Sequence, residues 1–163
     1  MSDDWKNEYD MSKILVTNIG SPFFYRPLFV AVARASWGFL NHEADVLLCT
    51  KSGYLTEIEI KVSAADWRQD INKDKFGKTC LGVQKSGGWQ SGFIKYFYYA
   101  APKTLAERWP EIKFPEWAGV ISVDKVDGGN QIEILKPAQV SPNPRKLSTE
   151  KPLQTLSSGK NME

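Results

Sequence analysis

Apolar and polar residues alternate along Glu43–Thr50 and again along Tyr54–Val62, and the two runs are separated by Lys51-Ser52-Gly53. The alternation predicts two β-strands. A three-residue connection with glycine last predicts a hairpin between them, because that final position needs a positive φ. In this register Thr50 faces Tyr54, Asp45 faces Glu59 and Glu43 faces Lys61. Side chains alternate across a strand, so one face holds Val46, Leu48, Ile58, Ile60 and Val62 as core. The other face is apolar near the turn, through Leu47, Cys49 and Leu55. Its far end is charged, through Glu43, Asp45, Glu57, Glu59 and Lys61.

The rest of the chain surrounds this hairpin with further elements. Residues 1–11 read as a flexible leader, and Ser12–Gly20 as a short helix with Ser12 as N-cap and Gly20 as its stop, against the pull of its β-branched residues. Leu28–Ala35 follows Pro22 and Pro27 as a strand, closed by Ser36-Trp37-Gly38. After the hairpin, Ser63 with Asp66 three residues on opens a helix from Ala64 to about Lys75, with Trp67, Ile71 and Lys75 on one face. The glycine-, serine- and lysine-rich stretch Phe76–Ile94 is a long loop of the kind that usually carries function. Lys95–Ala101 reads as a buried strand, Pro102–Trp109 as a helix, and Ala118–Val123 and Gln131–Leu135 as strands, the last after an Asp127-Gly128-Gly129-Asn130 turn. From residue 137 to residue 163 the chain becomes a flexible, mildly basic tail with at most a turn of helix near Thr149–Leu156. The expectation is one α/β domain over 12–136, built around a central sheet.

Composition narrows the function classes. Hydrophobic residues at 42% and charged residues at 25% are a globular balance, and 163 residues suit a single domain. The net charge of +2 creates no overall field that would announce a nucleic-acid partner, so any basic surface must be local. Cys49 and Cys80 stand far apart outside any CxxC, which leaves a disulfide scaffold or a zinc knuckle unsupported and points to a reducing cytoplasm. The polar start lacks a signal-peptide core, and no apolar run is long enough to cross a bilayer. His42-Glu43 lacks the second histidine of a zinc-protease motif. No Walker loop and no G-x-G-x-x-G is present, which sets aside nucleotide-driven motors and dinucleotide enzymes.

The charged end of the hairpin is where chemistry concentrates. Two carboxylates facing each other across a strand pair repel unless a cation lies between them or one keeps its proton. A divalent ion held by Asp45 and Glu59 resolves the conflict, and an all-oxygen ligand set suits Mg²⁺ or Mn²⁺. Lys61, two residues on, points at whatever oxygen the metal binds. An alternating Glu, Glu, Lys strand is otherwise the solvated face of a hairpin. Apolar residues on both faces near the turn, and charges gathered at one end, favour a site.

Asp45 on one strand followed by Glu59-Ile60-Lys61 on the next, within HEADVLLCTKSGYLTEIEIKVSAADWRQD, resembles the PD-(D/E)XK (restriction-endonuclease-like) nuclease superfamily, in particular its short bacterial and phage MmcB-like branch. In that branch Glu-Ile-Lys-Val-Ser leads into a helix with an Asp-aromatic pair, here Asp66-Trp67. KYFYYAAPKTL and then AGVISVD are similar to its downstream strand, Pro-led helix and strand. The likeness covers about residues 28–136, with Ala44 standing where the motif's name has proline. It implies an α/β restriction-endonuclease-like core, a central mixed β-sheet flanked by helices, and Mg²⁺- or Mn²⁺-dependent hydrolysis of phosphodiester bonds in nucleic acid, chiefly DNA, in repair, restriction or phage DNA processing. Asp45 and Glu59 would be metal ligands with the Ile60 backbone carbonyl as a third. Lys61 would orient or activate the attacking water or stabilise the phosphate's charge. Glu43 would be an additional acidic residue, acting through water. Enzymes of this fold often pair to cut both strands, so a homodimer belongs to the expectation. Lys73, Lys75, Lys85 and Trp89 of the loop region suit phosphates and bases, against the alternative of a solvated loop. The competing class is a catalytically silent DNA- or partner-docking module on the same fold.

Overall fold

The computed structural model describes residues 7–18, 28–36, 43–70, 94–142 and 144–147. The hairpin forms as its alternation dictates: β2 (Glu43–Thr50) and β3 (Leu55–Ile60) pair antiparallel, with Val46 opposite Ile58 and Cys49 opposite Leu55. Gly53 adopts φ +87°, its N–H donates to the Thr50 carbonyl at 2.9 Å, and a Cβ there would lie 2.6 Å from the Leu147 carbonyl. Both backbone conformation and space therefore demand glycine. β3 ends at Ile60, earlier than its alternation suggests, and Val62 is exposed instead of joining the core.

Around the hairpin lie α1 (Glu8–Asn18), β1 (Leu28–Ser36), α2 (Ala64–Gln69), β4 (Ile94–Pro102), α3 (Lys103–Ala106), a 3-10 turn at Trp109–Glu111, β5 (Gly119–Val126) and β6 (Gly129–Lys136). The six strands stand side by side in chain order. β1/β2, β2/β3 and β5/β6 are antiparallel, whereas β3/β4 and β4/β5 are parallel. Parallel neighbours cannot be joined by a tight turn, and the two connections that must cross over are the ones carrying α2 and α3. The domain is α/β with a mixed six-stranded sheet flanked by a few short helices.

Both faces of the sheet are covered. Val46, Leu48, Ile58 and Ile60 pack with Ala100, Ile121 and Val123 against Met11 and Leu15 of α1. Leu47, Cys49, Leu55, Phe97 and Tyr99 pack on the other side with Trp67, Leu105 and Trp117. The first helix begins at Glu8, not Ser12, so part of the expected leader is helical. The reason is the four-residue spacing of Met11 and Leu15, which puts two fully buried side chains on one face. The expected Pro102–Trp109 helix is divided into α3 and the 3-10 turn, which holds Pro110, a residue with no N–H for a helix interior.

The expected tail departs most from its reading. Gln139 donates to the Trp117 carbonyl, Ser141 to that of Lys95 and Leu147 to that of Gly53, each at 2.9 Å. These described residues beyond Lys136 are strapped to the domain by main-chain bonds, which leave no hydrophobic period in the sequence. The remainder of the expected tail from residue 148, with the turn near Thr149–Leu156, and the loop residues 76–93 lie outside the described residues.

Candidate functional site

The site starts from a fault in strand alternation. Ala44 and Val46 should share a face, yet Ala44 belongs to the core on the α2 side and Val46 to the core under α1. Across from Asp45, between the pairs Ala33–Val46 and Ala35–Ala44, Arg34 has φ +53°, uncommon for a residue with a Cβ. The two strands twist together at this point, and Asp45 is turned sideways towards β3. Its Oδ2 accepts the Ile60 N–H at 2.8 Å. The β2–β3 ladder stops at Val46 and Ile58, and beyond it the Asp45 carboxylate does what a strand carbonyl would.

On the α2 side, alternation along β3 brings Glu57, Glu59 and Lys61 into the interior, all of them buried. The Lys61 Nζ donates to Asp70 Oδ1 at 2.9 Å and to Glu59 Oε1 at 3.1 Å, and lies 3.5 Å from Asp66 Oδ2. The Tyr99 hydroxyl donates to the other Asp70 oxygen at 2.9 Å. Asp66 and Asp70 are four residues apart, hence on one face of the helix turn. The start of α2 is set by Ser63, whose Oγ accepts the Asp66 N–H at 3.2 Å. Its docking is set by Trp67, whose ring centroid lies 5.3 Å from that of Tyr99 and 5.5 Å from that of Phe114.

Burial alone would lower the Lys61 pKa, but the Glu59 charge and the Asp70 hydrogen bond and charge outweigh it and hold the ammonium well above its ordinary range. Lys61 is a permanent cation at neutral pH. Burial, and then the charges of Asp70, Glu59 and Glu57, push the Tyr99 hydroxyl well above its ordinary value. Both groups keep their protons longer in the folded chain than in the unfolded one. Their contribution is therefore complete below about pH 10 and is lost as pH rises beyond it. Tyr99→Phe should cost about 1–3 kcal/mol at neutral pH, from the lost Asp70 bond. It should also flatten the decline of Tm between about pH 9 and about pH 11. Thermal melts over that range test this; parallel declines in the two proteins would remove Tyr99 as a titrating group.

A cavity of about 500 Å³ opens on the α1 side, between the start of α1 and the ends of β1 to β3; Arg34, Glu43, Asp45, Ile60 and Val62 are among its walls. Glu43 is exposed and lies 3.7 Å from Arg34, a contact of the weak surface kind. Glu59 and Lys61 do not line this cavity. The expected residues thus meet at one strand crossing through the Ile60 backbone, with Asp45 on the cavity side and the Glu59 and Lys61 side chains on the α2 side. The hairpin register is the expected one, and it is the paired twist at Arg34 and Asp45 that redirects the aspartate. Among the described residues, no group of three or more His, Cys, Asp or Glu side chains is placed to hold a metal ion. Lys73, Lys75, Lys85 and Trp89 lie outside the described residues.

Two members of the network, Asp70 and Tyr99, were not expected. The signal for Asp70 was its four-residue distance from Asp66 on a helix already expected there. Tyr99 shared the buried alternation of Phe97 and Ala101 but carried no mark of its hydroxyl's partner.

No protein-family model matches the chain, and no curated protein matches it. Among solved structures, a protein of unknown function from Silicibacter pomeroyi is similar, with 18% identity and a TM-score of 0.46 over 78% of this chain and 69% of that one. Among the described residues no helix is long and apolar enough to cross a membrane.

Proposed function

We propose that the chain is a metal-dependent nuclease that hydrolyses phosphodiester bonds in nucleic acid, chiefly DNA, on a restriction-endonuclease-like core. The observation that carries this reading is the 2.8 Å bond from the Ile60 N–H to Asp45, which ties the acid of β2 to the Glu59-Ile60-Lys61 segment of β3. Asp45, Glu59 and the Ile60 carbonyl offer only oxygen donors, as hard cations prefer, although the Asp45 carboxylate faces the cavity and the Glu59 carboxylate the α2 side. Mg²⁺ is commonly bound through one or two carboxylates, with waters and substrate phosphate oxygens completing its shell. Asp45 supplies one such carboxylate at the cavity, and Glu59 would have to turn away from Lys61 to share the same ion. When bound, such an ion supplies Lewis acidity and a more acidic water. The chain's own part is electrostatic. Lys61, held protonated by Glu59 and Asp70, is no general base; it is a fixed positive charge beside the Glu59 carboxylate. Glu43 stands at the cavity wall, where it can act through water.

A second reading, a catalytically silent DNA- or partner-docking domain, draws support from the near-complete burial of Lys61 at 1% exposure. On this reading the ammonium, surrounded by carboxylates, clamps α2 to the sheet. Asp45→Asn separates the two readings, since the amide oxygen still accepts the Ile60 N–H while the charge is gone. Labelled duplex, single-stranded and branched DNA should be cut with Mg²⁺ or Mn²⁺ and left intact in EDTA. Asp45→Asn should lose at least about 100-fold in rate while its stability changes by no more than about 1 kcal/mol. Binding without cutting, the same in both proteins, would establish the docking domain.

A further inference from the structure

We infer that Arg34 is the phosphate-gripping residue of the Asp45 cavity, holding the nucleic-acid strand by a phosphodiester beside that carboxylate. The inference rests on the nucleic-acid reading above and adds a substrate-contacting residue to it. It starts from the backbone. Among the described residues Arg34 is the one non-glycine with a positive φ, +53°, a conformation that strains any residue with a Cβ and that glycine adopts freely. The twist that turns Asp45 towards the Ile60 N–H needs this backbone, and nothing in the twist needs an arginine. The Arg34 side chain is 69% exposed and approaches Glu43 at 3.7 Å through Nε, too long for a hydrogen bond. A surface pair of that kind adds little to stability. Glycine or asparagine would make the same twist with less strain, so the arginine is there for what its side chain does.

That side chain stands at the cavity. Among the described residues of the wall Arg34 is the cation, set with Glu8, Glu43 and Asp45. Lys61, the cation expected at this site, is buried on the α2 side and bonded to Glu59 and Asp70, so a phosphate entering the cavity does not meet it. Arg34 lies across from Asp45, between the pairs Ala33–Val46 and Ala35–Ala44. Opposed residues of antiparallel strands stand about 5 Å apart at Cα. One distortion of two strands thus brings a guanidinium and a carboxylate to the same cavity, whose volume of about 500 Å³ is ordinary for a ligand pocket.

The chemistry of the group selects the ligand. A guanidinium carries its N–H donors in a planar fork that matches two oxygens of one phosphate, and it is more weakly hydrated than an ammonium. The Glu43 contact leaves most of the Arg34 fork open to solvent. The neighbouring carboxylates then discriminate between phosphates. Glu8, Glu43 and Asp45 repel a free phosphate, largely a dianion at neutral pH, more than a phosphodiester with its single charge. A strand seated on Arg34 therefore presents a diester to the Asp45 side of the cavity.

The test compares wild type with Arg34→Gly, Arg34→Asn and Arg34→Lys in thermal melts, in affinity for a short labelled DNA duplex in EDTA at several salt concentrations, and in cleavage with Mg²⁺. Glycine and asparagine both tolerate the left-handed backbone, so these variants should melt within about 3 °C of wild type or above it. Both should nevertheless bind DNA about 10- to 100-fold more weakly, as expected for one lost charge-assisted contact. Their salt slope should fall by about 0.9, one phosphate's worth. Arg34→Lys keeps the charge and therefore the slope, but loses the fork, so its affinity should lie between. Glycine and asparagine variants that melt much lower yet bind DNA as wild type does would make Arg34 a structural residue and overturn the inference. Displacement of the DNA by inorganic phosphate at matched ionic strength would reveal a free-anion site and overturn it as well. Unchanged affinity and unchanged metal-dependent cleavage in all three variants would overturn it while leaving the nuclease standing. Weakened binding and a lower slope in a protein that never cleaves DNA would support Arg34 while refuting the nuclease.

Discussion

Replacing Lys61 with methionine will lower the stability of the fold by about 3–5 kcal/mol, the usual cost of removing one partner from a buried ion pair. Glu59 and Asp70 are both buried and both accept hydrogen bonds from the Lys61 ammonium. The methionine side chain fills similar space and returns neither bond. Asp70 is the more exposed to loss in energetic terms, since it is fully buried and would lose the ammonium while keeping the Tyr99 hydroxyl. For a chain of this length each kcal/mol moves Tm by about 2–4 °C, so a fall of about 6–20 °C is expected. A shift equivalent to less than about 1 kcal/mol would mean that the pair behaves as a water-screened surface contact and does not hold α2 in place.

Trp67→Ala should be comparably damaging, about 3–5 kcal/mol, by removing a fully buried indole from the tilted stack with Tyr99 and Phe114. Its effect should also spread. Trp67 docks α2, and α2 brings both Asp66 and Asp70 to Lys61, so the alanine variant loses the ionic network together with the packing. Chemical denaturation gives the stability, and near-UV circular dichroism reports the aromatic stack. Trp67→Phe, which keeps a ring, should recover part of the loss. If the alanine variant unfolds within about 1 kcal/mol of wild type, the indole does not anchor the helix.

How far these features were legible depends on whether their causes are local. The β2–β3 pairing could be read because a three-residue turn and a period of two determine register together, and β2 spans the residues its alternation marks. The Ser63–Asp66 cap could be read because both partners lie within one helical turn. The orientation of Asp45 could not, because it depends on Arg34 in the neighbouring strand adopting a left-handed backbone, a property of two strands at once. The Asp70–Tyr99 bond joins residues on either side of a parallel crossover, and helix spacing and strand alternation each show half of it. The strap beyond Lys136 is held by main-chain amides, which every residue but proline possesses. The distinction also explains why Val62 was misplaced: alternation continues past Ile60 in the sequence, whereas the strand does not.

The strictly sequential order of the six strands divides the work of folding unequally. β1, β2 and β3 meet through antiparallel neighbours, and β5 and β6 through a turn at Asp127 and Gly128, so each block closes over short loops. β4 alone must join one block to the other, and its pairing with β3 has to close the chain over residues 61–93. Loop-closure entropy therefore falls most heavily on a single event, the arrival of β4 beside β3. That event delivers Tyr99 to Asp70 and the Ala100 carbonyl to the Lys61 N–H. The highest-contact-order step of the topology and the completion of the ionic network are the same step.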